Sequence, residues 1–174
     1  MLGALFTSKT RLKLLIKFFV SSSNTGYLRG IAEEFDESTN SIRKELNQLT
    51  EAGFLDRREG SKKVIYQAND AHPLFLPVQK LIHSFLGIDQ IIDQVMDRSG
   101  SVEQVILVGE YAKGVESDTL RVVILGETLN QKYLLQLAEK MSVLISKKVE
   151  VTFEKPEKGN TIVIYHKSKE AEAS

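Results

Sequence analysis

The sequence predicts a two-domain protein that joins an α+β amino-terminal domain to a smaller α/β domain built on a mixed sheet. Three observations lead to this prediction. Helical apolar spacing with one strand–turn–strand pattern runs to about residue 70, a helical stretch with two prolines follows, and strand-like runs flank an amphipathic helix after about residue 101. We therefore expect domains at 1–72 and 101–167, connecting helices at 73–100 and a disordered tail at 168–174.

Composition excludes several function classes. The 23 Lys and Arg residues equal the 23 Asp and Glu residues in number, so any attraction to nucleic acid must be local. The chain has no cysteine, which excludes disulfides, thiolate metal sites and cysteine nucleophiles. Its three histidines, His72, His83 and His166, are scattered, so we expect no metal site and no cofactor. Every apolar run is shorter than the ~20 residues that span a bilayer, and we expect a cytoplasmic protein.

Three short helices open the amino-terminal domain. The first begins at Thr7 or Ser8, whose hydroxyl can cap it, and should bury one stripe formed by Leu12, Leu15, Ile16 and Phe19. The second covers Tyr27–Phe35 and the third Thr39–Ala52, where Gly53 closes it. On the third helix the spacing turns Ile42, Leu46 and Leu49 inward, and it turns four polar residues outward: Asn40, Arg43, Lys44 and Asn47.

A β-hairpin should follow the third helix, with its turn at Glu59-Gly60-Ser61. The tip and its approach carry four cations within seven residues: Arg57, Arg58, Lys62 and Lys63. Three helices and a basic hairpin are the layout of a winged helix-turn-helix, in which the hairpin is the wing. The lines SKTRLKLLIKFF and YLRGIAEEFDESTNSIRKELNQLTEAGFLDRREGSKKVIYQAN resemble the ArsR/MarR-like family of transcriptional regulators.

The resemblance implies that the third helix enters the major groove of double-stranded DNA and that the wing contacts phosphates. It implies base-edge contacts from Asn40 and Arg43, because amide and guanidinium groups can bond bases in bidentate fashion, and phosphate contacts from Arg58, Lys62 and Lys63. The full set expected to face DNA from the third helix is Ser38, Thr39, Asn40, Ser41, Arg43 and Lys44. Two alternatives stay open: an ordinary solvated helix face, and a winged helix that docks protein.

The connecting segment continues a helical apolar stripe from Pro77 through Val95 and Met96, and Gly87 should bend or break it. Regulators of this class commonly pair through a helix after the wing. We therefore expect a homodimer that reads two half-sites.

The carboxy-terminal domain should start with a strand at Val102–Val108, a glycine-bounded segment at Gly109–Gly114 and a strand at Leu120–Leu125. An amphipathic helix follows in LNQKYLLQLAEKMSVLIS. Two last strands, KKVEVTFEK and NTIVIYHK, should form a hairpin through Pro156-Glu157-Lys158-Gly159. GEYAKG and VVILG resemble the minimal nucleotidyltransferase fold of the DNA polymerase beta superfamily, in which two aspartates on the second strand bind metal.

The paired aspartates are missing here. The two plausible alignments place Thr119 and Arg121, or Asp118 and Leu120, at those positions. We therefore expect a catalytically inactive domain, not an enzyme, that serves dimerisation or ligand sensing. Gly109, Lys113 and Arg121 are the candidates for holding a nucleotide or another anionic effector without metal. The alternatives are an active nucleotidyltransferase that keeps Asp118 and Glu150 as metal ligands, and an adaptor or antitoxin-like module that binds only protein.

Overall fold

The computed structural model describes residues 4–87 and 98–167. The elements of the amino-terminal half are α1 (Lys9–Phe19), β1 (Thr25–Gly26), α2 (Leu28–Phe35), α3 (Thr39–Glu51), β2 (Leu55–Glu59), β3 (Val64–Ala68) and α4 (Phe75–Leu86). Those of the carboxy-terminal half are β4 (Gln104–Val108), a 3-10 turn (Tyr111–Lys113), β5 (Thr119–Leu125), α5 (Gln131–Ile145), β6 (Lys148–Thr152) and β7 (Thr161–His166). The predicted α+β architecture with two separate sheets is confirmed.

The amino-terminal half packs α1, α2 and α3 around a core and covers it with a small antiparallel sheet in the order β1-β3-β2. Ser8 caps α1 by accepting a hydrogen bond from the Arg11 N–H at 3.1 Å. The connection between α2 and α3 is short because Asp36 adopts a left-handed conformation with φ 53°. The two-residue strand β1, which pairs Thr25 with Gln67, falls where the sequence predicts only a loop.

α1 is buried on all sides, so the prediction of one buried stripe was wrong. Every residue from Leu12 to Phe19 is buried, including Leu14 and Phe18 on the side opposite the predicted stripe. The reason is a second layer of packing: β7 and the 3-10 turn contact α1 from the carboxy-terminal half. The spacing of apolar residues identifies one buried face of a helix, and it does not reveal a second buried face on the opposite side.

The carboxy-terminal sheet has the order β6-β5-β4-β7, and this corrects the predicted hairpin between the last two strands. β6 pairs with β5 in parallel through the α5 crossover, whereas β7 pairs with β4 in antiparallel fashion at the other edge. β6 and β7 therefore run in the same direction, and a hairpin requires neighbours that run in opposite directions. The segment 153–160 crosses from one edge to the other, and its residues Glu154, Lys155 and Pro156 line an open cleft of about 750 Å³ together with Val108 and Val123 of the sheet.

One hydrophobic core extends through both halves. It contains Phe18 and Leu46 from the amino-terminal half together with Leu107, Tyr111 and Ile162 from the carboxy-terminal half. A smaller core lies between α5 and the sheet. α4 ends at Leu86, and Gly87 follows it with φ 71°, at the position of the predicted bend or break. The predicted continuation through Val95 and Met96 and the tail 168–174 lie outside the described residues. Within the described ranges, every helix is too short or too polar to cross a bilayer.

Candidate functional site

α3 presents the predicted polar surface. Ile42 and Leu46 are fully buried and Leu49 nearly so, which fixes the rotation of the helix about its axis. The side chains turned away from the core are all exposed: Ser38, Thr39, Asn40, Ser41, Arg43 and Lys44. Arg43 donates from Nη1 to the Asn40 Oδ1 at 3.1 Å. The structure therefore brings the two predicted base-reading side chains together, one helical turn apart on the first turns of α3.

An ion pair fastens the same helix to α1. Glu45 is 7% exposed and accepts hydrogen bonds from Arg11 Nε at 2.7 Å and from Ser8 Oγ at 3.0 Å. Arg11 also donates to Gln48 on the next turn. Charged hydrogen bonds of this kind hold geometry more firmly than neutral ones. α3 is thus a rigidly mounted helix with one polar side open to solvent.

Ser38 caps α3, so its predicted contact with DNA is accompanied by a structural role. Its Oγ accepts a hydrogen bond from the Ser41 N–H at 3.2 Å, and its backbone is extended with φ −68° and ψ 146°. This is the geometry in which Ser satisfies one of the free amides of the first helical turn.

We expect Ser38→Ala to lower the free energy of unfolding by about 1 kcal/mol, because the Ser41 amide loses its acceptor. Ser38→Gly should cost only a few tenths of a kcal/mol. Urea denaturation monitored by circular dichroism measures both. Equal stability of the wild type and Ser38→Ala would contradict the capping role and leave Ser38 as a surface residue.

The wing carries the predicted phosphate contacts Arg58, Lys62 and Lys63, and all three side chains are exposed. The tip closes through a hydrogen bond from the Gly60 N–H to the Lys63 carbonyl at 2.8 Å. The side chains of Arg58 and Lys63 contact other parts of the chain. Arg58 donates to Gln67 Oε1 at 2.5 Å, and the Lys63 ammonium lies 3.8 Å from the centre of the Tyr27 ring.

The predicted anion site also comes together, with carboxylates already in place. Gly109 has φ +77°, and a Cβ there would lie 3.4 Å from Arg121 Nη1, so the guanidinium rests against this turn. Lys113 Nζ is 2.8 Å from Glu110 Oε1, and Arg121 Nε is 2.9 Å from Glu150 Oε2. Lys148 adds a second ion pair to Glu150 at 2.6 Å. Each predicted anion-binding cation is therefore paired with a carboxylate of this chain.

These carboxylates hold their charge. The hydrogen bond from Lys113, followed by the positive charge of Lys113, keeps the pKa of the Glu110 carboxyl below its usual value. Hydrogen bonds from Lys148 and then from Arg121 lower the pKa of Glu150 in the same way. An anionic effector would have to displace Glu110 or Glu150. Among the described residues, no cluster of three or more His, Asp or Glu side chains is arranged to hold a metal ion.

The structure also contains a buried polar junction that the sequence analysis missed. Lys17 is 4% exposed and its Nζ lies 2.7 Å from Glu34 Oε2, while Glu34 Oε1 accepts the Val163 N–H of β7 at 2.5 Å. The buried Asn24 amide donates to the carbonyls of Lys17 at 2.7 Å and Ile164 at 2.8 Å. A signal was available: Lys13 and Lys17 lie one turn apart in 12–20, where every other residue is apolar, and this indicates buried acidic partners.

No protein-family model and no curated protein matches the chain. Among solved structures, similarity is found to the transcriptional regulator BldR from Sulfolobus Solfataricus, which is 17% identical with a TM-score of 0.35. The match covers 55% of this chain and 73% of that chain. At this TM-score the match carries no argument, so a functional assignment rests on the geometry of the chain itself.

Proposed function

We propose that the chain is a DNA-binding transcriptional regulator. Its helix α3 would contact base edges of duplex DNA, and its wing would contact the phosphates. The observation that carries the proposal is the rigid mounting of α3 with the Arg43–Asn40 pair at its exposed amino-terminal end. A helix that docks in the major groove must be held by the rest of the protein on one side. On its exposed side it must present hydrogen-bond donors and acceptors to the bases. The chain would act in the cytoplasm as a homodimer on two half-sites.

The wing supports the same function through its charge. The protein has no net charge, yet Arg57, Arg58, Lys62 and Lys63 are concentrated on one hairpin that directly follows α3. Contacts between such cations and phosphates release counterions and make the affinity fall with salt. A protein-docking winged helix has no need for this concentration of cations, and its binding would not follow that salt dependence.

For the carboxy-terminal half we propose a catalytically inactive nucleotidyltransferase-like domain that serves dimerisation or effector sensing. Support comes from the antiparallel β4–β5 pair, the parallel β5–β6 pair and the helix between β5 and β6. Arg121 lies on β5, and one of the two alignments puts it where that family carries a metal-binding carboxylate. Glu150 is paired with two cations. Magnesium-dependent transfer of label from ATP, lost in Asp118→Ala, would contradict the inactive assignment.

Selection of duplexes from random DNA, followed by titration of the selected site, tests the DNA-binding function. We expect Arg43→Ala to weaken binding to the selected site by about 1–3 kcal/mol and to relax the preference at one base position. Lys140→Ala, which removes an exposed cation from α5, is the matched control and should leave affinity unchanged. If the folded wild-type protein binds no duplex even at low ionic strength, the proposal is wrong.

A further inference from the structure

The tip of the wing is fixed to the beginning of α2 by a stack of three residues. The Lys63 ammonium lies 3.8 Å from the centre of the Tyr27 ring, within the range of a close cation–π contact. The ring in turn lies against Gly30. A Cβ at residue 30 would fall 2.8–3.2 Å from three atoms of that ring, so the Tyr27 side chain occupies space that only glycine leaves open.

Tyr27 is held by its backbone as well as by its ring. It is the residue that precedes α2, and its carbonyl accepts the Ile31 N–H at 3.0 Å. The preceding residue, Gly26, pairs with Tyr66 on the wing strand β3. The ring therefore stands at a fixed position between helix α2 and the wing, and it offers its face to a cation from the wing tip.

The base of the wing is fixed in a separate way. Gln67 donates a hydrogen bond from Nε2 to the Ser22 carbonyl at 2.7 Å, and its Oε1 accepts a hydrogen bond from the Arg58 guanidinium. These two bonds connect β2 and β3 to the loop after α1. The stack at Lys63 adds a second attachment near the turn. A hairpin held at both its base and its tip keeps one orientation relative to α2 and α3 before any ligand arrives. Such preorganisation reduces the ordering cost of binding.

We propose that Tyr27, Gly30 and Lys63 form a latch that sets the orientation of the wing for duplex DNA. Lys63 is then a positioning residue, and Lys62, its exposed neighbour, is the phosphate contact at the wing tip. The proposal rests on the DNA-binding function above and revises the role that the sequence predicts for Lys63. The latch itself is a property of the free protein, so it is measurable without DNA.

The DNA-free measurement compares the full-length wild type with Tyr27→Leu and Tyr27→Phe. In the wild type the ε-methylene protons of Lys63 should show upfield ring-current shifts, and the Gly60 amide at the wing turn should exchange slowly with solvent. Tyr27→Phe keeps the aromatic face and should keep both signals. Tyr27→Leu should abolish the shift and speed the exchange. Random-coil shifts for Lys63 in the wild type would overturn the latch.

The DNA measurement compares salt titrations of Lys63→Gln and Lys62→Gln. Loss of a phosphate contact lowers the slope of log affinity against log salt by about 0.9, and we expect this for Lys62→Gln. Lys63→Gln should instead weaken binding about two- to fivefold at every salt concentration with an unchanged slope. Tyr27→Leu should reproduce this effect, and the double variant Tyr27→Leu with Lys63→Gln should be no weaker than either single variant.

Two outcomes would overturn the assignment of Lys63. One is a slope that falls in Lys63→Gln as it does in Lys62→Gln, and the other is additive losses in the double variant; either makes Lys63 a phosphate contact independent of Tyr27. A third result would instead contradict the proposed DNA-binding function. If the wild type shows the ring-current shift but binds no duplex, the latch exists and DNA is not the ligand that it serves.

Discussion

Glu34→Ala is expected to lower the free energy of unfolding by about 3–5 kcal/mol. The substitution leaves the ammonium of Lys17, a residue only 4% exposed, without its carboxylate. It also removes the acceptor of the Val163 N–H on β7, which is an edge strand of the sheet as far as the described residues extend. Both losses fall at the place where α1, α2 and β7 meet. Urea denaturation of the full-length protein measures the change.

Glu33→Ala provides the matched control, because Glu33 precedes Glu34 on α2 and is exposed. We expect it to change stability by less than about 0.5 kcal/mol. A double variant, Lys17→Met with Glu34→Leu, should recover part of the loss in Glu34→Ala, since an apolar pair of similar size avoids the unpaired buried charge. A loss below about 1 kcal/mol in Glu34→Ala would show that Lys17 finds water or another partner, contrary to its burial here.

The elements of the amino-terminal half are predictable because their signals are local. Ser8, one of the two predicted caps, marks the start of α1, and the apolar spacing of Ile42, Leu46 and Leu49 gives the inward side of α3. The connection between β2 and β3 is residues 60–63, so Gly60 and Ser61 of the predicted turn lie in it, whereas Glu59 is the last residue of β2. The exposed polar surface of α3 follows from the same spacing. Each of these features depends on residues within a few positions of one another.

The features that sequence analysis missed depend on contacts between distant parts of the chain. Nothing near Lys17 in sequence shows that Glu34 and β7 will surround it, and nothing near Lys63 shows that it will meet the Tyr27 ring. The error at Pro156-Glu157-Lys158-Gly159 has the same origin. These residues are typical of a turn, but the strand that follows them pairs with β4 because the α5 crossover has already placed β6 beside β5.

A fragment that ends at Gly87 is expected to lose cooperative folding, although the sequence predicts a complete winged helix-turn-helix within it. The carboxy-terminal half covers the second buried side of α1. Leu12 lies against Gly114, where a Cβ would be 3.4 Å from Leu12 Cδ2, and the rings of Phe85 and Tyr111 are 5.2 Å apart. Removal also takes away the Ile164 carbonyl that accepts the buried Asn24 amide. Each large apolar side chain that becomes exposed lowers the free energy of unfolding by about 1.5–3 kcal/mol. A few such side chains are enough to cancel a total of about 5–15 kcal/mol.

Nuclear magnetic resonance and urea denaturation of residues 1–87 test this, with a chain that ends at Lys167 as the control. The control removes only the terminal residues that the sequence predicts to be disordered, and it should unfold like the full-length protein. The fragment should give poorly dispersed amide signals and no sharp transition, because exposed apolar surface on α1 and unpaired buried polar groups remain together. A fragment that unfolds cooperatively within about 1 kcal/mol of the full-length protein would contradict the shared core. The two halves would then be independent domains, as the sequence alone predicts.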